Sequence, residues 1–174
     1  MTVEIMEVEP DSRLTQQIKN LLNRAFEGDF STEDWEHTLG GVRFLGWIDG
    51  DLVAHGAILP RTIWLNELPS QIGYVEAIAV EPEHWGRGYG AQLMEKLSEK
   101  ALDLYQISML STDEKGFYKR IGWMDFQGES FVKIGTEEIR TADEDAGLML
   151  LSRDLKGLEK IVKAVCESRS GDAW

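Results

Sequence analysis

Residues Gly73 to Met94 read GYVEAIAVEPEHWGRGYGAQLM, which sets a strand, a glycine turn and the start of a helix in one unbroken run. Tyr74 to Val80 is a string of β-branched and apolar residues with one carboxylate, Glu76, in its middle. Such a run reads as a buried strand carrying one exception. Pro82 ends it, and Gly86, Gly88 and Gly90 follow. Beyond them Leu93, Met94, Leu97, Ala101, Leu104 and Tyr105 recur at helical intervals, so the turn delivers the chain into an amphipathic helix. Glycines let backbone approach a ligand closely. The unpaired N–H groups of a helix's first turn, with the positive end of its dipole, suit a pyrophosphate. Arg87 sits inside this turn.

Strand, Gly-x-Gly-x-Gly and helix also describe a dinucleotide fingerprint or a P-loop. No Gly-Lys-Ser/Thr is present, and the turn lies mid-chain, after several expected strands, where a dinucleotide unit opens its domain. The run instead resembles the acetyl-CoA loop of the GNAT superfamily of N-acetyltransferases, Arg/Gln-x-x-Gly-x-Gly/Ala. Gly88 and Gly90 match its glycine positions, and Trp85, at its first position, departs from it.

Working outward, Asp11 or Ser12 can cap a first helix with an apolar stripe of Leu14, Ile18, Leu21, Leu22, Ala25 and Phe26, ended by Gly28. Ser31 and Asp34 are spaced as a capping box for a short second helix stopping at Gly40-Gly41. Strands are expected at Val42 to Ile48 and Leu52 to Leu59, joined by an Asp49-Gly50 hairpin turn, and at Arg61 to Leu65, with Asn66 to Ser70 turning the chain into the Glu76 strand. After the long helix, Ile107 to Leu110 is a strand reached by a crossover and therefore parallel to its predecessor. Phe117, Tyr118 and Ile121 fall on a short helix. Strands follow at Trp123 to Phe126, Phe131 to Ile134 and Leu148 to Leu151, and Leu155, Leu158, Ile161, Val162, Val165 and Cys166 suggest a last helix. This order of elements resembles the GNAT fold over the whole chain. It implies an α/β (α+β) domain spanning residues 1–174: a mixed, mostly antiparallel sheet of about seven strands flanked by helices, with a parallel pair at the acetyl-CoA site.

Composition narrows the class. At 174 residues the chain is long enough for one well-filled core. No apolar run reaches the roughly 18 residues of a membrane span, and the start MTVEIMEVEPDSR is acidic where a signal peptide is basic, so a cytoplasmic protein is expected. One cysteine, Cys166, excludes an internal disulfide and reads as a packed side chain; His37, His55 and His84 lack metal-ligand spacing, so no metal is expected. The formal net charge of −13, from 31 acidic against 18 basic residues, argues against nucleic acid and for cationic partners. Acidic residues cluster at Glu27, Asp29, Glu33, Asp34 and Glu36, at Asp143, Glu144 and Asp145, and at Asp172 beside the final carboxylate. Solubility alone also accounts for such a charge.

Four segments are more specific: Gly28-Asp29-Phe30, the run DWEHTLGG from Asp34 to Gly41, Gly73 to Glu76, and Gly171-Asp172-Ala173-Trp174. They resemble the aminoglycoside 2′-N-acetyltransferases, whose last Trp offers its own carboxylate to the substrate. The resemblance implies a substrate site at Asp29, Asp34, Glu76, Ser111, Glu144, Asp172 and Trp174 for a cationic aminoglycoside. Capping remains a second duty for Asp34. Acetyl-CoA would be held by backbone at Ala77, Ile78, Ala79 and Val80, by Arg87, Gly88, Tyr89, Gly90 and Ala91 around its pyrophosphate, and by Ser111. A homodimer is also implied, since such proteins often pair through their later strands.

Acetyl transfer to an amine needs a base, an aligned thioester and a proton for the departing thiolate. Glu76 among Tyr74, Ile78 and Val80 is the candidate base, where burial is expected to raise its carboxyl, and Tyr118, a phenol near pKa 10, is the candidate acid. Cys166 lies far from both in sequence, so direct transfer in a ternary complex is expected. Two other readings stay open: the same fold acting on kasugamycin, a polyamine or another amine, and a module that binds acyl-CoA or a cation without turnover.

Overall fold

The computed structural model describes residues 2–9 and 12–174. In chain order the elements are β1 Glu4–Glu7, α1 Ser12–Ala25, α2 Thr32–His37, β2 Val42–Ile48, β3 Asp51–Leu65, β4 Leu68–Val80, a 3-10 turn Pro82–His84, α3 Tyr89–Leu104, β5 Ser108–Ser111, α4 Lys115–Lys119, β6 Met124–Asp125, β7 Glu129–Ile134, β8 Glu137–Arg140, β9 Leu148–Leu151, α5 Leu155–Leu158 and β10 Lys163–Glu167. Contacts divide them into two compact units, residues 1–59 with 75–100 and residues 60–74 with 101–174. Strands β3 and β4 and helix α3 contribute residues to both.

In the first unit β1, β2 and β3 pair antiparallel. Asp49 and Gly50 take φ of 52° and 91°, the left-handed pair that a two-residue hairpin turn demands, and Ile48 pairs with Asp51 across it. On α1, the stripe Ile18, Leu21 and Leu22 is fully buried. Ile18 and Leu22 join Trp35 of α2, Leu45 of β2 and Ala79 of β4 in one apolar cluster, and Val3, Ile48, Val53 and Tyr89 form another. Helix α2 starts with the expected capping box: Ser31 Oγ accepts from Asp34 N–H at 3.1 Å, and Asp34 Oδ2 accepts from Ser31 N–H at 2.8 Å. The Asp11 cap lies outside the described residues.

In the second unit the strand order is β6-β9-β5-β4-β3-β10-β7-β8. The pairs β4–β5 and β7–β10 are parallel; the β5–β9, β6–β9, β7–β8 and β3–β10 pairs are antiparallel. Ile63, Ile72, Tyr74, Met109, Leu148, Leu150, Cys166 and Trp174 belong to its core.

The mixed, largely antiparallel sheet architecture matches the expectation, with ten strands among the described residues in place of about seven. The segments expected at Leu52 to Leu59 and Arg61 to Leu65 are one strand, β3, because the fixed φ of Pro60 suits extended backbone. The expected last helix is a correction: only Leu155–Leu158 is helical, and Lys163–Glu167 is strand β10, paired on both sides, with Ala164, Val165 and Cys166 buried. A short apolar run between β3 and β7 gains more from two ladders than from one helical face.

Asn66 fixes the β3–β4 hairpin. It and Glu67 take φ of 49° and 70°. Its side chain accepts from Val162 N–H at 2.9 Å and Lys163 N–H at 3.2 Å, and donates to the Lys160 carbonyl at 2.7 Å. Asn66→Ala removes these bonds and the left-handed tolerance together, so denaturant unfolding should show a loss of about 2 kcal/mol. A loss below about 0.5 kcal/mol would contradict this role.

Candidate functional site

Strand β4 does not alternate smoothly. Ala77 takes φ 52°, a left-handed residue inside a strand, directly after the half-buried Glu76. Its carbonyl accepts from His55 Nδ1 at 2.7 Å, and His55 Nε2 lies 2.6 Å from Arg43 Nη1. Arg43 Nη2 donates to the Thr38 carbonyl at 2.7 Å, and the guanidinium stacks over Trp35 with 5.0 Å to the ring centroid. His55 is wholly buried, and burial together with Arg43 pushes its pKa down to about 3, so it is neutral at physiological pH. Burial likewise lowers the pKa of Arg43.

After the break, Ala79 faces the Trp35 cluster and Val80 the Tyr89 cluster. Ile78 turns toward β3, where Gly56 makes room: a Cβ there would stand 2.6 Å from Ile78 Cδ1 and 2.4 Å from Leu97 Cδ1.

The turn into α3 is open. Gly86 and Gly88 take φ of 75° and 82°, and a Cβ on either would meet nothing within 4 Å, so glycine is needed there for backbone conformation. Trp85, the residue that departs from the loop pattern, is 57% exposed and donates from its indole N–H to the Val80 carbonyl at 2.7 Å. It ties the turn back to the end of β4. Gln92 N–H bonds to the Gly88 carbonyl at 3.2 Å as an early helical bond, and the amides ahead of it form the α3 N-terminus. Arg87 and Gly88 are exposed and Gly90 and Ala91 half-buried, whereas the Tyr89 ring is buried beside His84. Tyr89 therefore offers the turn its backbone only. Asp29 is exposed beyond α1, and Asp34 Oδ2 also accepts from Ser31 Oγ at 2.8 Å, so that oxygen is committed to the cap.

In the second unit Tyr118 is 8% exposed on α4, edge-on to Phe117 at 4.9 Å and Trp123 at 6.3 Å. Burial, with Glu114 nearby, pushes its hydroxyl up to about 12, above the ordinary phenol value near 10. Ser111 ends β5, exposed, opposite Leu148. Trp174 is buried at 4% exposure: its indole N–H donates to Thr141 Oγ1 at 3.1 Å and its backbone N–H to Asp172 Oδ1 at 3.2 Å. Arg61 Nη2 holds the preceding Ala173 carbonyl at 2.8 Å, and Arg169 Nε holds that of Asp172 at 2.7 Å.

The second and third acidic clusters meet in part. Burial first, then Asp172, Asp143 and Asp113, raise the Glu144 carboxyl above its ordinary range. Asp145 is instead committed to Arg140 and Ser130, which lower its pKa against the cost of burial. Cys166 is fully buried and raised to about 11 by desolvation, so it is a thiol at neutral pH and a poor nucleophile.

Sequence reasoning missed the Arg43–His55 pair. The available signal is that these are the sole ionisable side chains within Val42–Ile48 and Leu52–Leu59; pairing of Arg43 with Ala57 then places them diagonally on one face.

A family model described as an acetyltransferase (GNAT) domain matches residues 10–125. The chain belongs to the GNAT acetyltransferase family. This acetyltransferase is 32% identical over 169 residues to a protein of Mycolicibacterium fortuitum named aminoglycoside 2′-N-acetyltransferase, covering 94% of this chain and 87% of the relative. It shares its fold with a GNAT family N-acetyltransferase from Escherichia coli solved in complex with CoA (TM-score 0.73, 16% identity, 97% of this chain and 93% of the other). A larger conserved protein of unknown function from Enterococcus faecalis V583 aligns at TM-score 0.62 and 17% identity over 74% of this chain, which spans 34% of its length.

The raised Glu144 carboxyl has a consequence for stability. A folded carboxyl above its unfolded value binds more protons than the unfolded chain, so stability falls as pH rises through that window and is lowest above it. Glu144→Gln should therefore melt at a higher temperature than wild type at pH 7, with the difference shrinking as pH drops below the carboxylate range. A lower melting temperature at pH 7 would mean that Glu144 has a stabilising cation partner.

Proposed function

We propose that this acetyltransferase carries the acetyl group of acetyl-CoA to the 2′-amine of an aminoglycoside. The observation that carries the proposal is the 32% identity over 94% of the chain to a protein of that name. The acidity around Glu144 supports it: neighbouring carboxylates that disfavour each other's charge are relieved by a ligand bearing several ammonium groups.

In this reading the pyrophosphate of acetyl-CoA lies at the α3 N-terminus, on the amides of Arg87 through Ala91, where Gly86 and Gly88 keep the approach open. The backbone N–H groups of Ala77 to Val80 take the thioester and pantetheine carbonyls. Asp29, Asp34, Ser111, Glu144, Asp172 and Trp174 are assigned to the cation, with Asp34 sharing its role with the α2 cap.

Glu76 accepts a proton from the substrate ammonium, directly or through water. The neutral amine attacks the thioester carbonyl, a C–N bond forms, and the tetrahedral intermediate expels the CoA thiolate as the C–S bond breaks. The proton lost by the new amide nitrogen balances the thiol. Tyr118 stays protonated, and releasing its proton outright to a thiolate whose conjugate acid lies near 8.5 is uphill by about three to four pK units. Its role is to donate a hydrogen bond to the developing thiolate and relay the amide proton. The buried, protonated Cys166 favours direct transfer over an acyl-enzyme.

With acetyl-CoA and kanamycin B, wild type should release CoA thiol and yield a product one acetyl group heavier. Glu76→Gln and Tyr118→Phe should each lower kcat by at least about tenfold with acetyl-CoA affinity retained. Absence of turnover by wild type contradicts the proposed reaction, and unchanged variant rates contradict the two role assignments.

A further inference from the structure

His55 and Arg43 form a buried pair whose hydrogen-bonding roles leave no freedom. The Ala77 carbonyl can only accept, so His55 Nδ1 carries the proton that it donates across 2.7 Å. A guanidinium can only donate, so His55 Nε2 is the acceptor facing Arg43 Nη1 at 2.6 Å. One neutral tautomer satisfies both. Arg43 is fixed in turn by Thr38, through its carbonyl at 2.7 Å and Oγ1 at 3.1 Å, and by Trp35.

The carbonyl held by this pair belongs to the residue at φ 52°. A planar trans peptide points its N–H opposite to its C=O, so anchoring the Ala77 oxygen on His55 turns the Ile78 N–H away from His55. Ala77 and Ile78 are both half-buried, so neither residue of this peptide is sealed in the core. A left-handed alanine costs energy and needs a partner that over-determines it. The buried imidazole is that partner.

We propose that His55, held in one tautomer by Arg43, is the positioning residue that aims the Ile78 N–H at the thioester carbonyl of acetyl-CoA. The proposal rests on the reading of β4 as the acetyl-CoA strand. It separates two contributions along one ligand: the glycine turn binds the CoA pyrophosphate, and the His55-held peptide recognises the acyl group. His55 touches neither substrate nor reacting atoms.

Two amide substitutions divide the pair. In His55→Asn the Nδ2 group falls near the original Nδ1 and keeps the donor to Ala77. In His55→Gln the longer side chain keeps an acceptor near Arg43 and gives up the Ala77 bond. Calorimetric binding of CoA and acetyl-CoA should show wild type and His55→Asn preferring acetyl-CoA to similar extents. His55→Gln should lose that preference by about tenfold while CoA affinity stays within about twofold, and its kcat should fall in parallel.

A purely structural histidine would lower the melting temperature of both variants and leave the acetyl-CoA to CoA ratio unchanged in each, which overturns the proposal. Wild type carries an independent reading: the Ile78 amide proton should shift on adding acetyl-CoA well beyond its shift with CoA, and equal shifts overturn the proposal even where a variant fails to fold. If wild type binds neither CoA nor acetyl-CoA, the acetyl-CoA reading of β4 falls as well. That result is distinct from an unchanged ratio.

Discussion

A carbonyl at an irregular point of a strand needs a donor, because an unpaired backbone oxygen away from water is costly. In β4 the oxygen is that of Ala77 and the donor is His55. Much of the first unit is arranged around this requirement. The imidazole is neutral because it is buried beside Arg43, Arg43 is held by Thr38, and its guanidinium lies over the ring of Trp35 on α2. Trp35 in turn packs with Ile18 and Leu22 of α1. Two helices and a hairpin thereby support one peptide that follows the candidate base.

The second unit meets a different constraint, which is to keep an aromatic residue docked beside carboxylates. Trp174 is buried with its indole N–H on Thr141 Oγ1, and the backbone before it is tied by Arg61 and Arg169. Arg61 also stacks on Tyr74, 4.5 Å from the ring centroid, so the same guanidinium serves the core and the docked segment. Against this scaffold Glu144 and Asp172 retain carboxylates that do not neutralise each other. Asp145, one residue from Glu144, is absorbed by Arg140.

Local signals carried much of this into the sequence. The Asp49-Gly50 turn, the Ser31 and Asp34 capping box, the α1 stripe and the glycine turn before α3 are all short-range patterns with a physical cause. Failures came where the deciding partner is distant in the chain. Ile161, Val162, Val165 and Cys166 fit a helix as well as a strand, and only β3 and β7 on either side settle it. The left-handed Ala77 has no composition signal, because alanine does not favour that conformation; it is imposed by His55 from another strand. Tyr118 stands on the short helix after the parallel strand, where a local pattern places it, but the burial that raises its hydroxyl to about 12 depends on Trp123 and the surrounding fold and leaves no local trace. Trp85 departed from the loop pattern in sequence, yet its indole bond to Val80 gives the position a structural duty of its own.

The proposed transfer of an acetyl group to a 2′-amine is tested by kanamycins B and A, which differ at that position by amine against hydroxyl. CoA thiol release from acetyl-CoA should be measured with each at equal concentration. Release with kanamycin B and none above background with kanamycin A is the expected result. Equal release with both would keep the acetyltransferase and contradict the 2′ assignment.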